Sequence, residues 1–402
     1  MHAILAAVVL WALAIVTLTA GDGNRSITGP IKGADFQYFY TIGSLARTHH
    51  ADSLYDFGAV HRAQVALVPE SESVNYVPVY PPQTALIFEP LSILSYRLAM
   101  FVWIAITVAL FAAIVRSAWR PVARWLDDPV FVAAAAAAFP PFWSLVTHGQ
   151  TTIVILTGFW GGWLALERKR PFLAGAAFGL LLLKPQFAIP LAVVVLACGE
   201  WAMLFGAVAS IAVQTAGVAL LLGPSVLKAY AAFVPVMLRN SDLLEPRPYQ
   251  MHSLSTLTRL LPSWLDLPLW GLLAALVLAY TVKAWRSDAP LRVRLGVVIL
   301  ASVLVSPHLT VYDAAILALP LLWIGAFVQE HTNPSDRVAF WTVVYWMFVA
   351  FLAPTAFAFK VQASVLLMMW LLAWSAPVIV WRAAPGFRPA FNRDRGLLTP
   401  QA

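Results

Sequence analysis

The chain has 402 residues, of which 61% are hydrophobic and only 11% charged, against roughly 45–50% and 25% in soluble domains. With a mean hydropathy of +0.77, this excludes a soluble enzyme, a disordered scaffold and a nucleic-acid module. The formal net charge of +7 is therefore read side by side across a membrane.

A hydrocarbon core about 30 Å thick takes roughly 20 apolar residues per helix. The first apolar run, residues 3–20, lacks a basic leading region, and Leu18 is too large to sit three residues before a cut after Ala20. It reads as a retained first span rather than a cleaved signal. A polar stretch, 21–82, follows. Then comes the Pro-rich segment 77–95, a candidate re-entrant element, and apolar runs near 97–115, 129–146, 150–166, 171–183, 186–199 and 201–222. A second polar stretch, 223–266, separates these from runs near 267–285, 295–306, 310–328, 338–355 and 361–381. The predicted fold is an all-α polytopic integral membrane protein, one domain over 1–402, with about twelve transmembrane helices. Pro140, Pro141, Pro185, Pro190 and Pro307 fall in or beside the runs. Broken helices at membrane depth are tolerated only where protein or a water-filled cavity satisfies the freed backbone groups. The single cysteine, Cys198, excludes an intrachain disulfide and a cysteine-based metal cluster.

Basic residues in short loops set orientation. They cluster at Arg116, Arg120 and Arg124; at Arg168, Lys169 and Arg170; at Lys283, Arg286, Arg292 and Arg294; and, in the tail 382–402, at Arg382, Arg388, Arg393 and Arg395. Placing all four in the cytoplasm turns 21–82 and 223–266 outward, where they read as short amphipathic helices on the membrane surface. No internal repeat of the kind found in many transporters is present.

The polar clusters that could carry chemistry all fall on the outward side. Asp35 lies among Phe36, Tyr38 and Phe39 at the start of a predicted helix, 36–48. There it serves either as a general base or as a helix N-cap. Asp52 and Asp56, around Leu54-Tyr55, read as caps and turn residues. Tyr76-Val-Pro-Val-Tyr80-Pro81-Pro82 stiffens an extended approach to the membrane, with sugar stacking on Tyr80 as the lesser reading. In His148-Gly149-Gln150, polar side chains at a helix boundary are placed either to hydrogen-bond substrate hydroxyls or to cap. Lys184-Pro185-Gln186 interrupts an apolar run, where a lysine is costly unless it snorkels or pairs. At the outer end of a broken helix its ammonium suits a phosphate. Ser306-Pro307-His308, followed by Tyr312-Asp313, is a second break. His308 and Tyr312 share a helix face, and Asp313 either pairs with Lys184 or lines a cavity. The polar loop Arg239-Asn-Ser-Asp242 through His252-Ser253 reads as solvated. There is no Walker A, HExxH, GxSxG or Asp-x-Asp motif, so neither metal nor cofactor is expected.

The ordered set of an outward Asp35 in D-F-x-x-Y, Leu54-Tyr55-Asp56, Tyr80-Pro81-Pro82, His148-Gly149-Gln150, Lys184-Pro185-Gln186 and Ser306-Pro307-His308 through Tyr312-Asp313 resembles glycosyltransferase family 87 of the GT-C superfamily. That group includes polyprenyl-phosphate-mannose-dependent α-1,2-mannosyltransferases and related arabinofuranosyltransferases. The resemblance implies a GT-C-like bundle. It also implies inverting transfer of a hexose, with mannose leading, from a polyprenyl-phosphate donor to a glycan or glycolipid hydroxyl on the outer face of the plasma membrane. Asp35 is then the catalytic base and Lys184 and His308 are the donor-phosphate contacts. Substrate contacts are expected at Tyr38, Tyr80, His148, Gln150, Gln186, Tyr312 and Asp313. The competing readings are a transporter or flippase of lipid-linked sugar and a glycan polymerase or ligase. The short second outward stretch argues against a large oligosaccharide acceptor.

Overall fold

In a chain this apolar, backbone N–H and C=O groups find little water, and helices satisfy them internally. The computed structural model describes residues 1–239, 248–352 and 354–380; Asn240, Ser241, Asp242 and the four tail arginines lie outside these. The described residues are helical throughout, apart from loops and one isolated β-bridge between Arg25 and Ile31. α1 (His2–Thr19) is followed by α2 (Phe36–Arg47), α3 (Phe57–Leu67), α4 (Gln83–Phe88) and the long α5 (Tyr96–Trp119). Next come α6 (Pro129–Ala137), α7 (Pro140–His148), α8 (Thr152–Glu167), α9 (Pro171–Phe178), α10 (Ile189–Cys198) and α11 (Trp201–Leu221). α12 (Pro224–Arg239) and α13 (Leu254–Thr258) occupy the second polar stretch. α14 (Ser263–Trp285), α15 (Leu291–Val305), α16 (Ala318–His331), α17 (Pro334–Phe351), α18 (Pro354–Phe359) and α19 (Ala363–Val380) follow.

Every predicted apolar run is helical, but few are long enough to cross a bilayer. Five helices qualify by length and composition, and six if α6 and α7, bent by 48° at their junction, count as one span. The sequence alone led to about twelve. The difference lies in the breaks. Thr152–Glu167, Pro171–Leu183 and Pro185–Cys198 are shorter apolar helices, and α15 has 15 residues. At 1.5 Å per residue α15 reaches only about 22 Å, short of a 30 Å core. Its residues from Leu295 to Val305 are all buried, so it is a central helix, enclosed by α8, α10, α14, α16 and α19. The exposed apolar side chains sit instead on long helices such as α11 (Val213, Leu220) and α14 (Leu272, Leu276).

The first polar stretch departs from a surface-lying amphipathic helix. All residues of α2 from Phe36 to Ala46 are buried. Gly43 lets α4 approach closely: a Cβ there would stand 2.5 Å from the Phe88 carbonyl. Phe39 stacks on Phe88 with ring centroids 5.0 Å apart, and offset or tilted aromatic pairs of this kind add about 0.5–1.5 kcal/mol beyond their burial. Segment 77–95 is thus a six-residue helix and a 3-10 turn, Pro90–Ile93, packed on α2. α12, by contrast, is amphipathic and mostly exposed, as expected. It docks on the first stretch through Tyr230 and Phe233, 5.3 and 5.9 Å from the Tyr55 ring, and through Ser225, whose hydroxyl donates to Asp52 at 2.5 Å. Asp56 caps α3, accepting from the Ala59 N–H at 2.9 Å.

Among the described residues, the three basic clusters lie toward one end of the bundle. Arg124 and Arg292 lie 3.7 and 5.4 Å from the same Trp125 ring, Arg124 pairs with Glu330 at 3.7 Å, and Arg286 donates to the Ala197 carbonyl at the end of α10. α8 and α15 run from this end or to it, and their other ends carry Thr152 and Ser306. The candidate residues gather there.

Candidate active site

Four chain breaks meet at that opposite end: the loop before α2, the α7–α8 turn, the α9–α10 break at Lys184, and the segment between α15 and the 3-10 helix Val311–Leu317. Gly149 makes the second possible. It closes α7 in the left-handed conformation (φ +60°), and a Cβ there would fall 2.6 Å from Cβ of Phe36. Only glycine combines that backbone with that approach. The Trp103 indole N–H anchors the turn by donating to the Gly149 carbonyl at 3.0 Å. The next residue, Gln150, is thereby set between α2 and the Lys184 break.

Asp35 stands at the N-cap position of α2, yet its side chain makes no capping hydrogen bond. Its Oδ2 instead accepts from Gln150 Nε2 at 2.7 Å. Of the two readings left open by the sequence, the N-cap hydrogen bond is not made, and the carboxylate joins the cluster. Tyr76 stands beside it, donating to the Ala34 carbonyl at 3.0 Å and accepting from Gln37 at 2.9 Å. Burial first, then the neighbouring Asp35 charge, raises the Tyr76 hydroxyl above its ordinary pKa. Tyr38, one turn along α2, packs its ring 5.7 Å from Tyr76 and 5.9 Å from Tyr80. Burial likewise raises the Tyr38 hydroxyl. Tyr80, held at its carbonyl by the Tyr55 hydroxyl at 2.9 Å, donates its own hydroxyl to Gln150 Oε1 at 3.0 Å.

Behind Gln150 lies an ion pair. Lys184 Nζ is 2.5 Å from Asp313 Oδ1, with the two side chains 5% and 3% exposed. The ammonium also donates to Gln150 Oε1 at 3.2 Å and Thr152 Oγ1 at 3.1 Å. An ammonium has three protons, and three protein acceptors take them, so a phosphate would have to displace one. Of the two ways a lysine is tolerated here, snorkelling or pairing, the geometry shows pairing with Asp313. Thr152 donates to the same Asp313 oxygen at 2.5 Å, and Thr310 to the other at 3.4 Å. Tyr80 and Tyr312 flank Lys184, their ring centroids 5.6 and 5.1 Å from Nζ.

His148 shares Nδ1 with the Ser144 carbonyl at 2.9 Å and lays its ring 5.5 Å from Tyr312. His308 is half-buried. Desolvation lowers its pKa; nearby Asp313 opposes this, and the Lys184 and Arg259 charges add to it. Gln186, next to Lys184, is half-buried and no hydrogen bond joins it to the cluster. Sequence reasoning missed Tyr76, Thr152 and Trp103 as parts of the site. Thr152 directly follows the His148-Gly149-Gln150 motif and was within reach; Tyr76 read as punctuation before Pro78.

An all-helical membrane protein whose polar residues converge at one end of the bundle defines a class, and the comparisons narrow it. The profile of Glycosyltransferase family 87 matches residues 79–307, more than half of the chain, and the chain belongs to that family. It is a membrane glycosyltransferase. No curated protein and no solved structure matches it. The matched region holds Tyr80, His148, Gln150, Thr152 and Lys184; Asp35 lies before it and is tied to it through Gln150.

Proposed function

We propose that the protein is an inverting glycosyltransferase that moves a hexose, mannose by family resemblance, from a polyprenyl-phosphate donor to a hydroxyl of an envelope glycan or glycolipid on the extracytoplasmic face. The observation that carries this reading is the Asp35 carboxylate, free of capping duty and oriented by Gln150. In this reading Asp35 takes the proton of the acceptor hydroxyl as that oxygen attacks the anomeric carbon. The sugar–phosphate bond breaks with inversion and the polyprenyl phosphate leaves. Positioned general bases contribute about 10²–10⁴-fold. His308 faces the same cluster and is the first group available to the donor phosphate; an arriving anion favours its protonated form. His148, Tyr38, Tyr80 and Tyr312 line the aromatic side of the cluster and suit sugar rings. The separation of this cluster from the three described basic clusters supports an outward-facing site under the positive-inside rule.

The test is the product formed by purified protein from a panel of radiolabelled polyprenyl-phosphate sugars, with a membrane extract as acceptor source. Transfer from one of them supports the reading, and transfer only from nucleotide sugars overturns it. The side is checked in a Cys198→Ala background: Thr28→Cys should react with an impermeant thiol reagent in intact cells and Trp119→Cys should not. The reverse labelling would place the site in the cytoplasm.

A further inference from the structure

We infer that Gln150 is a positioning residue for the Asp35 carboxylate, its amide fixed in one orientation by Tyr80 and Lys184, rather than a sugar contact. The inference rests on Asp35 acting as the base. A primary amide has two distinct ends, an oxygen that only accepts and an NH₂ that only donates. Around Gln150 the partners are sorted accordingly. Its oxygen meets the Tyr80 hydroxyl at 3.0 Å, the Lys184 ammonium at 3.2 Å and the Thr151 N–H at 3.2 Å. Its nitrogen meets the Asp35 carboxylate at 2.7 Å. Turning the amide over would set NH₂ against an ammonium and oxygen against a carboxylate. Neither contact survives in a side chain 2% exposed, where unpaired polar groups are costly.

The orientation is inherited from deeper in the protein. Asp313 holds Lys184, Lys184 holds the amide oxygen, and the amide nitrogen holds Asp35 Oδ2. The amide N–H thus fixes Oδ2, and the Tyr76 hydroxyl is the other side-chain group in contact with the carboxylate. The titratable groups facing Asp35 are Tyr76, Tyr80, Tyr96 from α5 and Tyr312, with Lys184 and Asp313 behind the amide. The phenols ordinarily titrate near about 10, well away from the acid limb, and His308, on the Asp313 side of the cluster, is common to all three proteins compared below.

The measurement is the pH profile of kcat/KM for transfer from radiolabelled polyprenyl-phosphate mannose by the full-length protein, comparing wild type, Gln150→Glu and Tyr80→Phe. The Glu side chain keeps the length and the contacts to Tyr80 and Lys184 but turns a carboxylate oxygen toward Asp35. Two carboxylates at that separation share a proton, and the higher of their pKa values rises. The acid limb should move up by about one pH unit or more, with activity recovering as pH rises and the donor KM within about twofold of wild type. Tyr80→Phe keeps the ring for stacking and removes one donor to the amide. Its kcat should fall about three- to tenfold with donor KM unchanged, the loss of one hydrogen bond. An unmoved acid limb with a raised KM in Gln150→Glu would make Gln150 a substrate contact and overturn the inference. If Gln150→Glu does not fold, Tyr80→Phe decides, an unchanged kcat being the contradicting result. Failure of the underlying reading looks different: Asp35→Asn would then turn over at the wild-type rate, whereas it stays inactive if only the role of Gln150 is wrong.

Discussion

The regions around Asp35 and Asp313 hold the two carboxylates of one polar cluster and treat them in opposite ways. Asp313 is buried in a 3-10 segment beside the central helix, with Lys184 and Thr152 on one oxygen and Thr310 on the other. Asp35 is half-buried at the mouth of α2, at a cap position it does not use, with Gln150 on Oδ2. A carboxylate engaged by an ion pair and two hydroxyls fixes its surroundings; one held by neutral partners, an amide and the Tyr76 hydroxyl, is oriented for the proton transfer proposed above. Residue type alone does not separate the roles. Burial and partners do.

Asp35→Asn gives the sharpest break of that comparison. Asn is close to isosteric and caps about as well as Asp, and no cap is made here, so the fold should hold. Transfer should fall about 10²–10⁴-fold, with donor binding retained. Next comes Asp313→Asn, which leaves the Lys184 ammonium buried without its counter-charge. Removing one partner of a buried pair typically costs about 3–5 kcal/mol, so Tm should drop sharply and activity with it. Lys184→Met combined with Asp313→Asn should recover part of the lost stability by removing the stranded charge. An unchanged Tm in Asp313→Asn would mean that the pair is not structural.

A smaller effect concerns His252, which joins the second polar stretch to the rest of the cluster's support. Its ring is buried, with Nδ1 2.7 Å from Ser364 Oγ, and its backbone N–H donates to the Leu309 carbonyl at 2.9 Å. Burial pushes its pKa down to about 3. The unfolded chain takes up this proton near about 6.5, so below that pH the unfolded state binds more protons and stability falls as pH drops toward 3. His308, also lowered by burial, acts in the same direction. Melting scans across this window should show a decline that His252→Gln flattens. The smallest effect is expected at Asp56, whose loss as the α3 N-cap in Asp56→Ala should cost about 1 kcal/mol and leave the transfer rate unchanged.

Much of this was legible in the sequence, and the illegible part has physical causes. The long helices α5, α11 and α14 follow from uninterrupted apolar runs. Lys184-Pro185 and Ser306-Pro307 marked breaks because a buried lysine and a proline each disrupt a span. The count of about twelve spans is not reached, because breaks leave short helices such as α9 and α15, and hydropathy does not distinguish a lipid-facing helix from one enclosed by others. The burial of α2 is not legible in its polar composition, because the partners of Gln37, Tyr40 and Thr41, namely Tyr76 and the carbonyls of Leu94 and Gln37, come from elsewhere in the fold or from the helix itself. The link from Gln150 to Asp35 crosses 115 residues and that to Lys184 crosses 34. Each motif was visible alone, and only the fold shows that they form a chain of contacts.

The division of labour between the two carboxylates is tested most directly by measuring single-turnover transfer from radiolabelled polyprenyl-phosphate mannose and Tm on the same preparations of Asp35→Asn and Asp313→Asn. The account predicts that Asp35→Asn keeps the wild-type Tm and loses the chemical step, while Asp313→Asn loses Tm first. An Asp35→Asn protein that transfers sugar at the wild-type rate, or that loses its rate only in proportion to its stability, would contradict it.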